Sequence, residues 1–496
     1  MPPRLRVSRS RLAPVLAEVS PATPARAPVK KVTRSRALSV DTLEQLGARQ
    51  LAELLMTQAQ SDPAFARSLR LVLAGTDGAG HLAAEVEKRL RTIQRSRGFI
   101  EWDKVRPLVR ELEGLRETIA GPLAQADPRA AAAQMRLLLE LAEGVFERSD
   151  DSSGSLGDVF REAGADLGRL WALLPGRDPV SLAAELLALL DADDYSTTVG
   201  LLAASGPALG PDGRAELRRL LQARLASLPG GGGRGRDDFE DQCGRFMVSL
   251  RLRELSDLEG DVDAYIAATE AGGRSENFAG DIAERLIACG RPAEALEWLD
   301  RAAVRHDEGR QIELRLAALD ALGRKANAQD LRWTTFQRFL STEHLRGYLR
   351  GLPDFDDVEA EEQAITHALA HPDRDLALTF LVAWPNLKAA DQLVRDHHDE
   401  LDGRQYFRLR PAAESLAEKY PAAATLLYRA LAEDVLRRAS SRQYQYAVRD
   451  VKACAGLAAF LPNEVSLETH EAFMARLRRE HPRKTGFWSL LDPSAR

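Results

Sequence analysis

His398-Asp399, with His344, His367 or His371 upstream and Asp450 downstream, follows the H…HD…D order in which imidazoles and carboxylates can hold divalent metals and activate water for hydrolysis. The dipeptide also fits a charge-rich helix end, RDHHDEL over 395–401. His367 and His371, four apart, share one helix face as zinc ligands would, but Pro372 follows His371 and puts it at a helix end, where an imidazole meets terminal carbonyls. His470-Glu471 starts an HExx run, but Met474 stands where the second metalloprotease histidine belongs. Asp150-Asp151-Ser152-Ser153-Gly154 offers oxygens without the alternation and closing glutamate of a calcium loop. Ser155-Leu156-Gly157-Asp158 reads as a capping box opening the next helix. Cys243, Cys289 and Cys454 stand apart and form neither a disulfide framework nor a CxxC site. No catalytic, cofactor-binding or metal-ligating residue is assigned on these patterns, and no cofactor is expected.

The cations are more suggestive. Lys88, Arg91 and Arg95 recur at spacings of three and four, Arg89 and Arg97 flank them, and Phe99 and Trp102 follow. Such a face can bind phosphates and stack bases, and the five basic residues are the candidate surface for an anionic partner. The same pattern also describes a solvated helix face whose aromatics are core. Arg476, Arg478, Arg479, Arg483 and Lys484 precede Phe487-Trp488, and there the aromatics are expected to anchor the C-terminus into the last helical layer. Residues 1–40 hold nine Lys/Arg against Glu18, a net of +8, in a chain whose net charge is −6. The remainder is therefore −14, which excludes a generally basic nucleic-acid-binding body.

The elements that position these residues are helices. In 496 residues, aromatics make up 6%, and Ala, Leu, Arg and Glu outnumber the β-branched and aromatic residues a sheet prefers. LAAELLALL, 182–190, is far shorter than the ~20 residues that span a bilayer, so no membrane association is expected. Isolated cysteines and the broken apolar stretch LAPVLAEV point to the cytoplasm rather than to secretion.

Residues 1–38, with six prolines and no apolar stripe, are expected to be a disordered basic tail. Asp41 and Glu44 have capping-box spacing ahead of the stripe Leu43, Leu46, Leu51, Leu54, Leu55; Asp62-Pro63 opens a second helix and Gly75 ends it. Leu82, Val86, Leu90 and Ile93 continue the helical period. Further helices are expected at 101–119, 127–147, 155–174, 178–192 and 210–227. The run Pro229-Gly230-Gly231-Gly232-Gly233-Arg234-Gly235 is read as a linker over 229–236, because four ordered glycines lose much entropy. It would separate an N-terminal helical lobe, 39–228, from a C-terminal lobe, 237–496.

In the second lobe the pattern repeats. AERLIACGRPAEALEWLDRA, 283–302, is a helix, a Gly-Arg turn and a helix; Gly323-Arg324 repeats Gly290-Arg291 after 33 residues, and Ala328 falls opposite Ala295. Gly290 and Gly323 are expected as turn residues, and Ala293, Ala295 and Ala328 as close-packing positions. AAESLAEKYPAAATLLYRAL, 412–431, is a looser copy. These pairs resemble tetratricopeptide repeats, which implies stacked hairpins sharing one core. A longer similarity, from about 38 to 491, runs through LRTIQRSRGFIEWDKVRPLV, VFERSDDSSGSLGDVF, GLPDFDDVEAEEQAITHALAHPD and HPRKTGFWSLL. It resembles a bacterial family of uncharacterised helical proteins. The C-terminal part is similar to the helical region of SWIM zinc-finger proteins, whose CxC…CxH zinc motif is absent here.

The expected fold is therefore an all-α, α-solenoid or tetratricopeptide-like array in two lobes. The leading functional reading is a non-enzymatic protein–protein interaction scaffold with a helical groove. The alternative is an RNA- or DNA-associated protein using the tail and the 88–97 face; the third is a metal-dependent HD-type hydrolase.

Overall fold

The computed structural model describes residues 39–228, 236–302, 307–461 and 467–492, the side chains of 236–241 excepted. The expected tail, 1–38, and the glycine run, 229–235, lie outside the described residues. Among the described residues every regular element is a helix. Extended pairing is confined to one bridge, in which the Ile100 N–H donates to the Arg148 carbonyl at 2.7 Å. No described helix is long and apolar enough to cross a membrane.

Helix starts follow local chemistry, with two corrections. Asp62 caps the Pro63–Thr76 helix as expected: its Oδ1 accepts from the Ala64 and Phe65 N–H groups at 2.9 and 3.1 Å, and Pro63 occupies the first turn, where no intrahelical N–H is needed. The box at Val40–Glu44, however, is built by Ser39 and Thr42 rather than Asp41 and Glu44. The Ser155–Ala172 helix is capped from outside the expected box: Asp151 accepts from the N–H groups of Leu156 and Gly157 at 3.1 and 3.0 Å, while Ser155 is already helical. Asp151 can reach back because Gly154 adopts a left-handed φ of 73°. Gly75 does not end its helix, which runs to Thr76.

The described chain forms two compact units. One comprises the residues up to Pro175 together with Asp193–Val199; the other comprises Gly176–Ala192 and everything from Gly200. The boundary thus falls near 175–200, whereas the glycine run suggested 229–236. The helices flanking that run, Leu201–Ser227 and Arg236–Glu259, pack together within one unit: an added Cβ at Gly206 would come within 2.7 Å of the Leu258 side chain. The first of these helices is itself broken at Gly210, φ 54°, just before Pro211.

In the first unit the Ala79–Arg95, Trp102–Thr118, Pro128–Leu139 and Ser155–Ala172 helices enclose the core. Leu82, Val86, Leu90 and Ile93 are all buried, as their spacing required. Asp166 ties two of these helices by accepting from Arg116 at 2.6 Å, while Arg169 closes on it at 2.7 Å. Pro122 lacks an N–H, and the backbone after Thr118 widens into a π-turn in which the Ala124 N–H reaches the Ile119 carbonyl, five residues back.

In the second unit each helix packs chiefly on its next and next-but-one neighbours, the arrangement of a solenoid. The two repeat turns are identical. Gly290 (φ 81°) and Gly323 (φ 67°) are left-handed; the Arg291 N–H donates to Leu286 O at 2.7 Å, and the Arg324 N–H to Leu319 O at 2.9 Å. This closure of a helix end puts its central residue in the left-handed region, which glycine adopts most readily. Ala295 and Ala328 are fully buried between helices, as expected; Ala293 is exposed and is not a packing position. Phe487 is buried among Ala432, Leu436 and Tyr444, and the Trp488 indole N–H donates to the His481 carbonyl at 2.9 Å, so the C-terminal aromatics do anchor the last helices.

Candidate functional site

The five cations of the predicted face do not act alike. Lys88 pairs with Glu85 at 2.9 Å, Arg91 lies 3.7 Å from Glu87, and Arg89 donates to Glu111 on the next helix. Three of the five charges are thus offset within the fold, while Arg95 and Arg97 are exposed and have no ion-pair partner among the described residues. Phe99 and Trp102 are not core: they are 61% and 78% exposed. The loop that carries Phe99 is held by Arg148, which donates to the carbonyls of Ile93 and Gly98 at 3.1 and 3.3 Å.

The residues of the hydrolytic pattern each have a separate local partner. His367 Nε2 meets the Gln337 carbonyl at 2.8 Å; His371 caps its helix end and accepts from the Asp373 N–H at 3.1 Å. His344 Nδ1 meets Ser341 Oγ at 2.9 Å. Its Nε2 lies 3.2 Å from Glu313, close enough for an ion pair when protonated but not aligned as a hydrogen bond. His398 pairs with its neighbour Asp399, and Asp450 is committed to Arg410. Among the described residues no three His, Cys, Asp or Glu side chains come together as a metal-holding group. Cys454 is buried, and burial pushes its thiol up to about 12, far from the reactive range.

A groove of about 780 Å³ runs between the Glu308–Ala321, Lys325–Phe339 and Thr342–Leu349 helices. Its walls are polar and largely self-satisfied: Arg332 donates to Asp320 at 2.6 Å and Gln329 to the Tyr348 carbonyl at 2.6 Å.

A cluster of different character lies further along the second unit. Tyr406 and Phe407 open the Tyr406–Leu416 helix, and Tyr446 sits on the Tyr444–Leu457 helix; they are 58%, 60% and 47% exposed around a pocket of about 500 Å³. The Tyr406 and Phe407 rings meet edge to face, 6.0 Å between centroids. At the pocket, Arg410 donates two hydrogen bonds to Asp450, at 2.5 and 2.9 Å, and the carboxylate is 1% exposed. Burial is the largest influence on Asp450 and holds its carboxyl above the usual range, with Arg410 offsetting part of the shift. Gly403 closes one side: a Cβ there would come within 2.6 Å of the Ala430 carbonyl, so only glycine lets the 403 turn approach so near.

Sequence reasoning missed this pocket because an aromatic at the start of a helix reads as core. One local signal was present. Tyr444 and Tyr446 are two apart in a helix, hence on opposing faces, so both could not be buried against one layer; Tyr444 is buried and Tyr446 is not.

A family model described as a family of unknown function (DUF6880) matches residues 33–490. No curated protein matches. A solved structure described as a circular tandem repeat protein with novel repeat topology and enhanced subunit contact surfaces is similar at 14% identity, over 87% of this chain and 94% of that one, with a TM-score of 0.18. A likeness that loose carries no argument.

Proposed function

We propose that this chain, which belongs to the family of unknown function (DUF6880), is a non-enzymatic scaffold that binds another protein through a helical groove of its C-terminal unit. The observation that carries the reading is the pocket framed by Tyr406, Phe407 and Tyr446. Large aromatics left in water around a concavity cost solvation without any return inside the fold. Tyr and Arg are the residues on which protein interfaces concentrate their binding energy, and the pocket has both. The buried Arg410–Asp450 pair holds the two aromatic-bearing helices in register, so the pocket is organised before a partner arrives.

The test is affinity purification of the full chain from its source organism, with nuclease treatment, comparing wild type with Tyr406→Ser/Phe407→Ser. A specific protein partner that survives nuclease and is lost with the double variant is expected. Capture that is identical for both proteins, or that vanishes with nuclease, sinks the reading.

The nucleic-acid alternative retains one favourable observation, the exposure of Phe99 and Trp102 close in sequence to Arg95 and Arg97, which have no ion-pair partner among the described residues. It requires affinity for a single-stranded oligonucleotide that falls steeply with salt and drops when both aromatics are replaced. Salt-insensitive binding would exclude it.

A further inference from the structure

We propose that the cleft between the Pro63–Thr76, Ala79–Arg95 and Trp102–Thr118 helices of the first unit is a binding site for a small organic phosphate monoester, independent of the protein-binding pocket above. The cleft encloses about 400 Å³, within the range of small-ligand pockets.

Its charge is unbalanced by construction. Arg67 and Arg70 reach it from the first helix, Lys88 and Arg89 from the second and Arg110 from the third; Glu85 and Glu111 are its carboxylates, a net of +3. Glu111 holds two guanidinia at once: Arg67 Nε lies 3.0 Å from its Oε1 and Arg67 Nη2 3.2 Å from its Oε2, while Arg89 bonds the same Oε1. That half-buried cluster fixes three helices around one point and still carries a surplus positive charge. Among the described residues Lys88 is held only by Glu85, in a solvent-accessible pair on one helix turn whose carboxylate an incoming anion can displace. Arg70 and Arg110 are exposed and have no partner among the described residues.

Three cations thus remain available to a ligand. A monoester dianion at neutral pH, with three strong acceptor oxygens, answers them better than a carboxylate with one charge. The rest of the wall is mixed: Ala64, Leu71 and Leu115 offer an apolar patch for the organic body of such a ligand, and Ser68, Thr92 and Thr118 add hydroxyl groups beside it. Gly114 lines the cleft from the interior of its helix, where glycine weakens the helix. A Cβ there would meet nothing within 4 Å, so the residue's smallness is not required by packing and its effect is to leave the cleft open. The geometry favours a small molecule over a nucleic-acid backbone, because the cations converge into a concavity while Arg95 and Arg97 lie outside it.

The test is calorimetric titration of the full chain with phenyl phosphate, inorganic phosphate and a single-stranded oligonucleotide. The variants are Arg70→Ala/Arg110→Ala, Arg95→Ala/Arg97→Ala and Gly114→Leu, each first checked for an unchanged helical circular dichroism spectrum. Phenyl phosphate should bind more tightly than inorganic phosphate. Loss of Arg70 and Arg110 should weaken it by about tenfold per guanidinium, as expected for charge-assisted hydrogen bonds. Gly114→Leu should abolish the heat by filling the cleft, and the Arg95/Arg97 variant, with the same change in charge, should stay within about twofold of wild type. The proposal is overturned by the absence of binding of either phosphate, by equal losses in the two arginine double variants, or by oligonucleotide binding without phenyl phosphate binding. None of these outcomes bears on the Tyr406 pocket.

Discussion

Removing Arg410 should expose how much of the second unit depends on one buried ion pair. Asp450 is 1% exposed and takes both of its strong hydrogen bonds, 2.5 and 2.9 Å, from a single guanidinium whose side chain is itself only 15% exposed. Arg410→Met keeps most of the side-chain bulk and removes both donors. Deleting one partner of a buried pair costs about 3–5 kcal/mol, because the remaining charge is left desolvated and unpaired. The loss should depend on pH in a definite direction. Burial already holds the Asp450 carboxyl above the usual range, against the pull of Arg410, with Arg449 and Glu414 as weaker and opposing neighbours. A carboxyl with a higher pKa in the fold than in the unfolded chain binds its proton more tightly in the native state. The native state is therefore penalised as pH rises from the unfolded value of about 3.9 through the folded one. Without Arg410 the folded value moves further up, so the deficit should be largest near neutrality and shrink on acidification.

Urea unfolding followed by circular dichroism at about pH 7.5 and about pH 5 measures this for wild type, Arg410→Met and Arg410→Met/Asp450→Leu. The single variant should lose about 3–5 kcal/mol at the higher pH and less at the lower, and the double variant should regain most of it. A deficit below about 1 kcal/mol, or one equal at both pH values, would refute the claim that the pair is a mutually dependent, desolvated unit.

Ala295 lies fully buried against Ile282, Leu286 and Leu299, so Ala295→Leu should destabilise the repeat segment by about 1–3 kcal/mol. Glu297→Gln, whose side chain is exposed, should change thermal stability by less than about 0.5 kcal/mol; equal tolerance of both would argue against the stacked hairpins. Asp151→Ala removes the acceptor of two N–H groups at the start of the Ser155–Ala172 helix and should cost about 1–2 kcal/mol in thermal unfolding, whereas Ser155→Ala should cost much less. The reverse order would restore the local capping box. For Asp193, burial raises the carboxyl, but the hydroxyl and N–H groups of Thr198 and Thr197 more than offset it and hold it below the usual range. Asp193→Ala should therefore cost about 1–3 kcal/mol at neutral pH, with the difference from wild type fading as pH falls below about 3.9; a difference that persists in acid would contradict the assignment.

What was legible in the sequence divides along a physical line. Features set within a few residues were readable: the left-handed turns at Gly290 and Gly323, the Asp62-Pro63 start, and the four-four-three spacing of Leu82, Val86, Leu90 and Ile93. Each depends on a backbone angle or a helical period that the neighbouring residues decide by themselves. The caps at Ser39 and Asp151 show how narrow that margin is, since a side chain only a few positions away can satisfy the same orphan N–H groups.

Features that depend on what one face meets were not readable. The stripe Leu46, Leu54 and Leu55 has the same period as the core of the Ala79–Arg95 helix, yet its side chains remain exposed in the first unit. Periodicity shows that residues share a face; it does not say whether the chain supplies a cover for it. Phe99 and Trp102, readable as core, are left in water for the same reason, as are Tyr406 and Phe407, which no local pattern singled out; an aromatic that the fold leaves uncovered is a candidate for contact with something else. The basic face errs the opposite way: Lys88 and Arg91 share a stripe that Arg89 flanks, but Glu85, Glu87 and Glu111 offset these three, and Glu111 comes from another helix. The positive charge that remains is concentrated where that helix also brings Arg110 and Gly114. The anion site therefore belongs to the packing of three helices rather than to the run of cations along one.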